Sequence, residues 1–96
     1  MTAPGPDPFF SVFHDRYAPG TVESLARVAA VLPFLRRHLP APPCRVLDLC
    51  CGAGVFAFEL ERLGHVVRAI DRDAALLERA RAHAARSGSA VTFEAG

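Results

Sequence analysis

Apolar positions along this chain change their period repeatedly, and each change marks a new element. From residue 21, Leu25, Val28, Ala29 and Leu32 recur at intervals of three and four, followed by Leu35 and Leu39, the spacing of one helical face. Thr21 is placed to cap this helix, and Glu23 falls in its first turn, where the positive helix end favours an acid. Arg36, Arg37 and His38 complement the opposite end. Pro33 interrupts the pattern and is expected to kink or restart the helix. Pro40-Ala41-Pro42-Pro43 is a stiff connector that cannot be helical. Ahead of all this, residues 1–8 read as a disordered lead, and the aromatic stretch 9–17 as a short helix broken by Pro19-Gly20.

After the connector the apolar runs shorten. Arg45–Leu49 reads as a strand buried on both faces. Cys50–Gly54 is a glycine-bearing loop, and residues 55–63 form a helix with Phe56, Leu60 and Leu63 on one face, closed by Gly64. A second strand, 66–70, ends at Asp71. Asp73 then caps a helix with Leu77, Ala80 and Ala84 inward, stopped by Ser87-Gly88, and a third strand begins at Val91. The order β-α-β-α-β with short crossovers forces parallel, right-handed connections. The expected fold class is therefore α/β: a Rossmann-like parallel sheet, first half only, strand order 3-2-1, preceded by N-terminal helices and forming an incomplete domain. Residues 9–43 make the helical segment and connector, and 44–96 the partial core. The outer edge of strand one has no partner in this arrangement and is apolar, which predicts poor solubility or self-association.

Composition narrows the classes. Hydrophobic residues make up 51% of 96 residues, too many for a disordered chain. The net charge is +1 and the eleven basic residues, all arginine, are scattered, so no nucleic-acid or anionic-membrane surface is signalled. Cys44, Cys50 and Cys51 are odd in number and lack metal or disulfide spacing. Free thiols, no signal peptide and no apolar run long enough to span a bilayer point to the cytoplasm.

The chemistry concentrates where a parallel sheet binds ligands, beyond the carboxyl ends of its strands. Asp48-Leu49-Cys50-Cys51-Gly52-Ala53-Gly54 joins strand one to its helix. Gly52 and Gly54 allow close backbone approach, and the loop opens onto a helix N-terminus with free N–H groups. Asp71, twenty-three residues after Asp48, stands at the tip of the adjacent strand, where a carboxylate can accept both hydroxyls of a ribose.

These residues resemble motif I of class I S-adenosylmethionine-dependent methyltransferases, hydrophobic-x-Asp-x-Gly-x-Gly-x-Gly. Asp48, Gly52 and Gly54 match it, Cys50 stands at the usual first glycine, and Asp71 matches the acid that grips the ribose. The resemblance spans roughly residues 20–96. It implies S-adenosyl-L-methionine as cofactor, with Gly52 and Gly54 along the methionine and ribose side, Asp71 on the ribose hydroxyls, and Asp48 orienting the loop and favouring the cationic end, its own charge satisfied by loop N–H groups. Cys50 fits without strain only if its φ is negative. The acceptor and the residues that would position it belong, by the same resemblance, to strands beyond residue 96; no catalytic residue is assigned, and the isolated fragment is expected to be inactive.

Two other readings share these residues. Gly52-Ala53-Gly54-Val55-Phe56-Ala57 also fits the G-x-G-x-x-A turn of an NAD(P) or FAD domain, although Asp48 and the long lead before strand one are unusual there. A non-catalytic remnant or interaction module is the third. Tyr17 either folds over the cofactor or packs with Phe9, Phe10 and Phe13. The four histidines lack metal spacing and read as exposed or capping residues, and Cys51 as a small loop residue without a partner base.

Overall fold

The computed structural model describes residues 14–96, so the proline-rich lead and Phe9, Phe10 and Phe13 lie outside it. Residues 14–16 are helical and a turn follows through Gly20. Helix α1 spans Val22–His38, β1 Arg45–Leu49, α2 Val55–Arg62, β2 Val66–Asp71, α3 Ala74–Ser87 and β3 Thr92–Ala95. The caps are those the sequence proposes. Thr21 Oγ1 accepts the Ser24 N–H at 3.2 Å, and Asp73 Oδ1 accepts those of Ala75 and Leu76 at 3.0 and 3.1 Å. Gly88, at φ +69°, supplies the left-handed residue that ends α3.

The three strands are parallel in the order β1-β2-β3, the expected 3-2-1 read from the other edge. Register aligns their carboxyl ends: Leu49 faces Ile70, and Asp71 faces Ala95. One core cluster joins Ala57, Phe58 and Leu60 of α2, Leu77 and Ala80 of α3, and Val67, Ala69 and Phe93 of the sheet. Alternate residues of a strand point to opposite faces, so both helices cover the same side. On the other side Leu47, Leu49 and Val66 are exposed, as is the Arg68–Glu94 ion pair. This corrects the expectation of a doubly covered β1: no residue of that strand is buried, because the described residues supply a single helical layer. Among the described residues β1 pairs with β2 alone, leaving its outer edge free.

Four further expectations change. The buried line of α1 runs through Ser24 and Val28, and Leu25 is 56% exposed. Pro33 lies inside an uninterrupted helix. In α2 the core phenylalanine is Phe58 rather than Phe56, which is half-buried and turned toward α1, where Arg27 lies 5.7 Å from its ring, while Leu60 is buried as expected. Nor are the histidines uniformly exposed: His65 is buried, with Nδ1 accepting the Cys44 N–H at 3.2 Å and lying 3.0 Å from the Cys44 Sγ.

Candidate functional site

The site is built where β1 and β2 end. Beyond Leu49 the chain enters a left-handed residue, Cys50, at φ +58°. This is the strained alternative of the two the sequence left open, in a region where an L-residue costs roughly 1–2 kcal/mol. The Cys51 N–H then donates to the Ile70 carbonyl at 3.0 Å, extending the β1–β2 ladder by one bond. The Gly54 N–H closes a turn onto the Cys51 carbonyl at 3.0 Å, and the Gly54 carbonyl accepts the Phe58 N–H, the first bond of α2. No side chain caps this helix.

The loop's remaining anchor is Asp71. Its Oδ2 accepts the Gly52 N–H and its Oδ1 the Asp73 N–H, each at 2.8 Å. One carboxylate therefore ties the β1–α2 loop to the turn that starts α3. The expectation that loop amides satisfy Asp48 is not met at Cys51, Gly52 or Gly54, whose N–H groups go to Ile70, Asp71 and Cys51. Asp48 and Asp71 instead share a cleft of about 300 Å³ with Cys50, Cys51 and Gly52, a volume at the lower end of ligand pockets.

The two glycines play different parts. A Cβ on Gly52 would meet nothing nearer than Leu76 Cδ1 at 4.0 Å, on the cleft wall. A Cβ on Gly54 would stand 2.9 Å from both the Phe58 and Phe93 rings. Gly52 thus opens the backbone toward the cleft, whereas Gly54 is glycine because the core behind the loop leaves no room.

Charge in the cleft is negative and partly desolvated. Burial first, and the Asp71 charge second, hold the Asp48 carboxyl above its ordinary value of 3.8. Burial, with Asp48 and Asp71 behind it, pushes the Cys51 thiol up to about 11, so it is protonated at neutral pH and is no nucleophile. A folded state that holds the Asp48 proton more tightly than the unfolded chain loses stability as pH rises from 3.8 through the raised value. Asp48→Asn removes that loss. Thermal unfolding is expected to show a higher midpoint for the variant at pH 7 and converging midpoints as pH falls below 3.8.

The model of the methyltransferase domain family matches residues 46–96, more than half of the chain and all but the first residue of the β-α-β-α-β unit. The chain belongs to the class I S-adenosylmethionine-dependent methyltransferases. Among curated methyltransferases, a ubiquinone biosynthesis O-methyltransferase from Nitrosococcus oceani is 38% identical over 63 residues, which cover 66% of this chain and 27% of that protein. The crystal structure of the PH0226 protein from Pyrococcus horikoshii superposes with a TM-score of 0.86 at 31% identity, over 96% of this chain and 43% of that one. An S-adenosylmethionine-dependent methyltransferase from Mesorhizobium loti gives a TM-score of 0.58 at 35% identity, over 70% of this chain and 31% of its own. The chain thus spans about a quarter of the curated relative's length and less than half of either structure's.

In this methyltransferase unit the motif residues Asp48, Cys50, Gly52 and Asp71 border one cleft, while Gly54 supports it from behind. The motif does not reveal the other wall. Arg27 of α1, Phe56, Leu76 and His14 line the same cleft, and the Arg27 guanidinium lies 5.1 Å from the Tyr17 ring, bringing Tyr17 to the mouth. Only Tyr17 carries a signal in the sequence, as an aromatic residue ahead of the core; the rest arrive through helix packing. Among the described residues no helix is long and apolar enough to cross a membrane, and no group of metal-ligating side chains forms.

Proposed function

We propose that this chain binds S-adenosylmethionine in the cleft between the Cys50–Gly54 loop and Asp71, as the cofactor-binding part of a cytoplasmic methyltransferase. The bound cofactor would supply an electrophilic methyl group on a sulfonium. The observation that carries the reading is the direct bond between the Gly52 N–H and Asp71, which holds a bare stretch of backbone beside a carboxylate at the edge of an open cleft. A carboxylate has about four lone-pair positions. Asp71 uses two of them on backbone amides, and the remainder are offered to ribose hydroxyls. Gly52 presents its Cα to the methionine and ribose side. Asp48, whose pKa is raised by burial and then by the Asp71 charge, gains from a cation placed beside it, which suits the sulfonium and ammonium end. Cys50 contributes its backbone turn. The chain covers about a quarter of the curated relative's length, and cofactor binding is the part of the activity assigned to it.

Calorimetric titration with S-adenosylhomocysteine tests the assignment. Asp71→Ala is expected to weaken binding by about 1.5–3 kcal/mol, the range for hydrogen bonds to a charged group, which is on the order of ten- to a hundredfold in Kd. A thermal melt of the same sample separates that loss from any loosening of the loop. Equal affinity in folded wild type and variant would remove Asp71 from the site. Tight NAD binding with no uptake of S-adenosylhomocysteine would favour the dinucleotide reading of the same glycine turn.

A further inference from the structure

Against the negative charge of Asp48 and Asp71, the cofactor cleft sets one permanent cation among the described residues that line it, Arg27 of α1. The Arg27 guanidinium lies 5.1 Å from the Tyr17 ring and 5.7 Å from the Phe56 ring, both within reach of a cation–π contact. Ring faces answer the positive charge without consuming the five N–H donors of a guanidinium. Among the described residues no carboxylate pairs with Arg27, whereas Arg16, Arg62, Arg68 and Arg79 each hold one.

Position separates the two ends of the cleft. Arg27, Asp48 and Phe56 also border a groove between α1 and β1, together with Val31, Leu35 and Val46, whereas Asp71 and Gly52 do not. Arg27 and Asp48 therefore share the β1 side of the cleft, and Asp71 stands on the β2 side. A ligand that puts a ribose on Asp71 lays its other end toward Asp48 and Arg27. An α-amino acid is the group that answers an acid and a guanidinium together. Its ammonium suits the acid, and its carboxylate matches the planar fork of the guanidinium.

We propose that Arg27 recognises the α-carboxylate at the amino-acid end of the cofactor, and so selects S-adenosylmethionine over nucleoside sulfoniums that lack this group. The inference rests on the cofactor reading above and adds a specificity residue from outside the glycine loop. Tyr17 and Phe56 hold the guanidinium in place for the contact, which makes α1 part of the site rather than only a neighbour of α2.

The test compares two ligands on two proteins. S-adenosylmethionine and its decarboxylated analogue share the nucleoside, the sulfonium and the ammonium, and differ in the carboxylate. Calorimetric titration of the wild-type chain is expected to show the decarboxylated ligand bound at least about tenfold more weakly, the lower end for a hydrogen bond to a charged group. In Arg27→Met, which keeps an apolar stem beside the two rings, that ratio is expected to fall to about twofold or less. Any loosening of α1 or of the glycine loop weakens both ligands and cancels in the ratio. A ratio that survives Arg27→Met unchanged overturns the proposal and leaves the cofactor reading standing, as does a wild-type ratio near one. If neither ligand binds the wild-type chain, the cofactor reading itself falls and takes this proposal with it.

Discussion

Gly54→Ala is expected to destabilise the chain by roughly 2–5 kcal/mol, as measured by denaturant unfolding. Two costs add. The residue sits at φ +89°, where a Cβ is penalised by about 1–2 kcal/mol. The new methyl would also stand 2.9 Å from carbons of both Phe58 and Phe93, whose rings pack against each other at 5.5 Å. Neither ring can retreat without moving the core, and overpacking of this kind costs about 1–3 kcal/mol. The whole stability of a domain this size is about 5–15 kcal/mol, so the variant loses a large share of it. The components separate in a double mutant. Gly54→Ala with Phe93→Leu relieves part of the steric cost and none of the backbone cost, so the pair should be less destabilised than the sum of the single changes. Gly52→Ala makes the contrast. Its Cβ meets only Leu76, at 4.0 Å, so the stability loss is confined to the backbone at φ +57°, while the methyl intrudes on the cleft and lowers affinity for S-adenosylhomocysteine. If Gly54→Ala unfolds no more easily than Gly52→Ala, the division between a packing glycine and a binding glycine is wrong.

That division shows where sequence reading stops. Gly52 and Gly54 are equivalent in the motif, and what separates them is Phe93, thirty-nine residues beyond Gly54. The order of elements was legible because each announces itself locally: Asp73 caps α3, Gly88 ends it, and Arg45–Leu49 is too short and too apolar for a helix. Asp48 and Asp71 were legible as neighbours because parallel register carries both to one edge. Helix faces were less so. Phe56 and Phe58 lie about 200° apart on α2, and both are apolar because α2 has two partners, α1 on one side and the sheet on the other. Likewise the buried line of α1 runs through Ser24 and Val28, with Leu35 and Leu39 packed against the core, and leaves out Leu25 and Ala29 of the apolar stripe, because the helix touches α2 along a narrow seam. Leu25 and Phe34 are left exposed as a result. Pro33 is tolerated in that helix on an exposed side, at the cost of one backbone bond rather than a break.

Leu77→Ala bears on the energetics of the single helical layer. Leu77 is 1% exposed and the largest side chain among the fully buried ones. It belongs to the cluster that joins α3 to Val67, Ala69 and Phe93. Truncation removes the transfer energy of its outer carbons and leaves a cavity that neighbours fill only in part, which together cost about 2–5 kcal/mol at buried leucines. The upper half of that range is expected here. Three members of the same cluster, Ala57, Ala69 and Ala80, have no side-chain reach with which to collapse into the space. Because Leu76, the preceding residue, lines the cleft and Leu77 the core, the same turn of α3 links the two. The measurement is urea unfolding of wild type and variant, with the midpoint falling at unchanged slope. A loss below about 1 kcal/mol would mean that α3 is not held by this residue, and that the face α3 covers contributes less to stability than its burial implies.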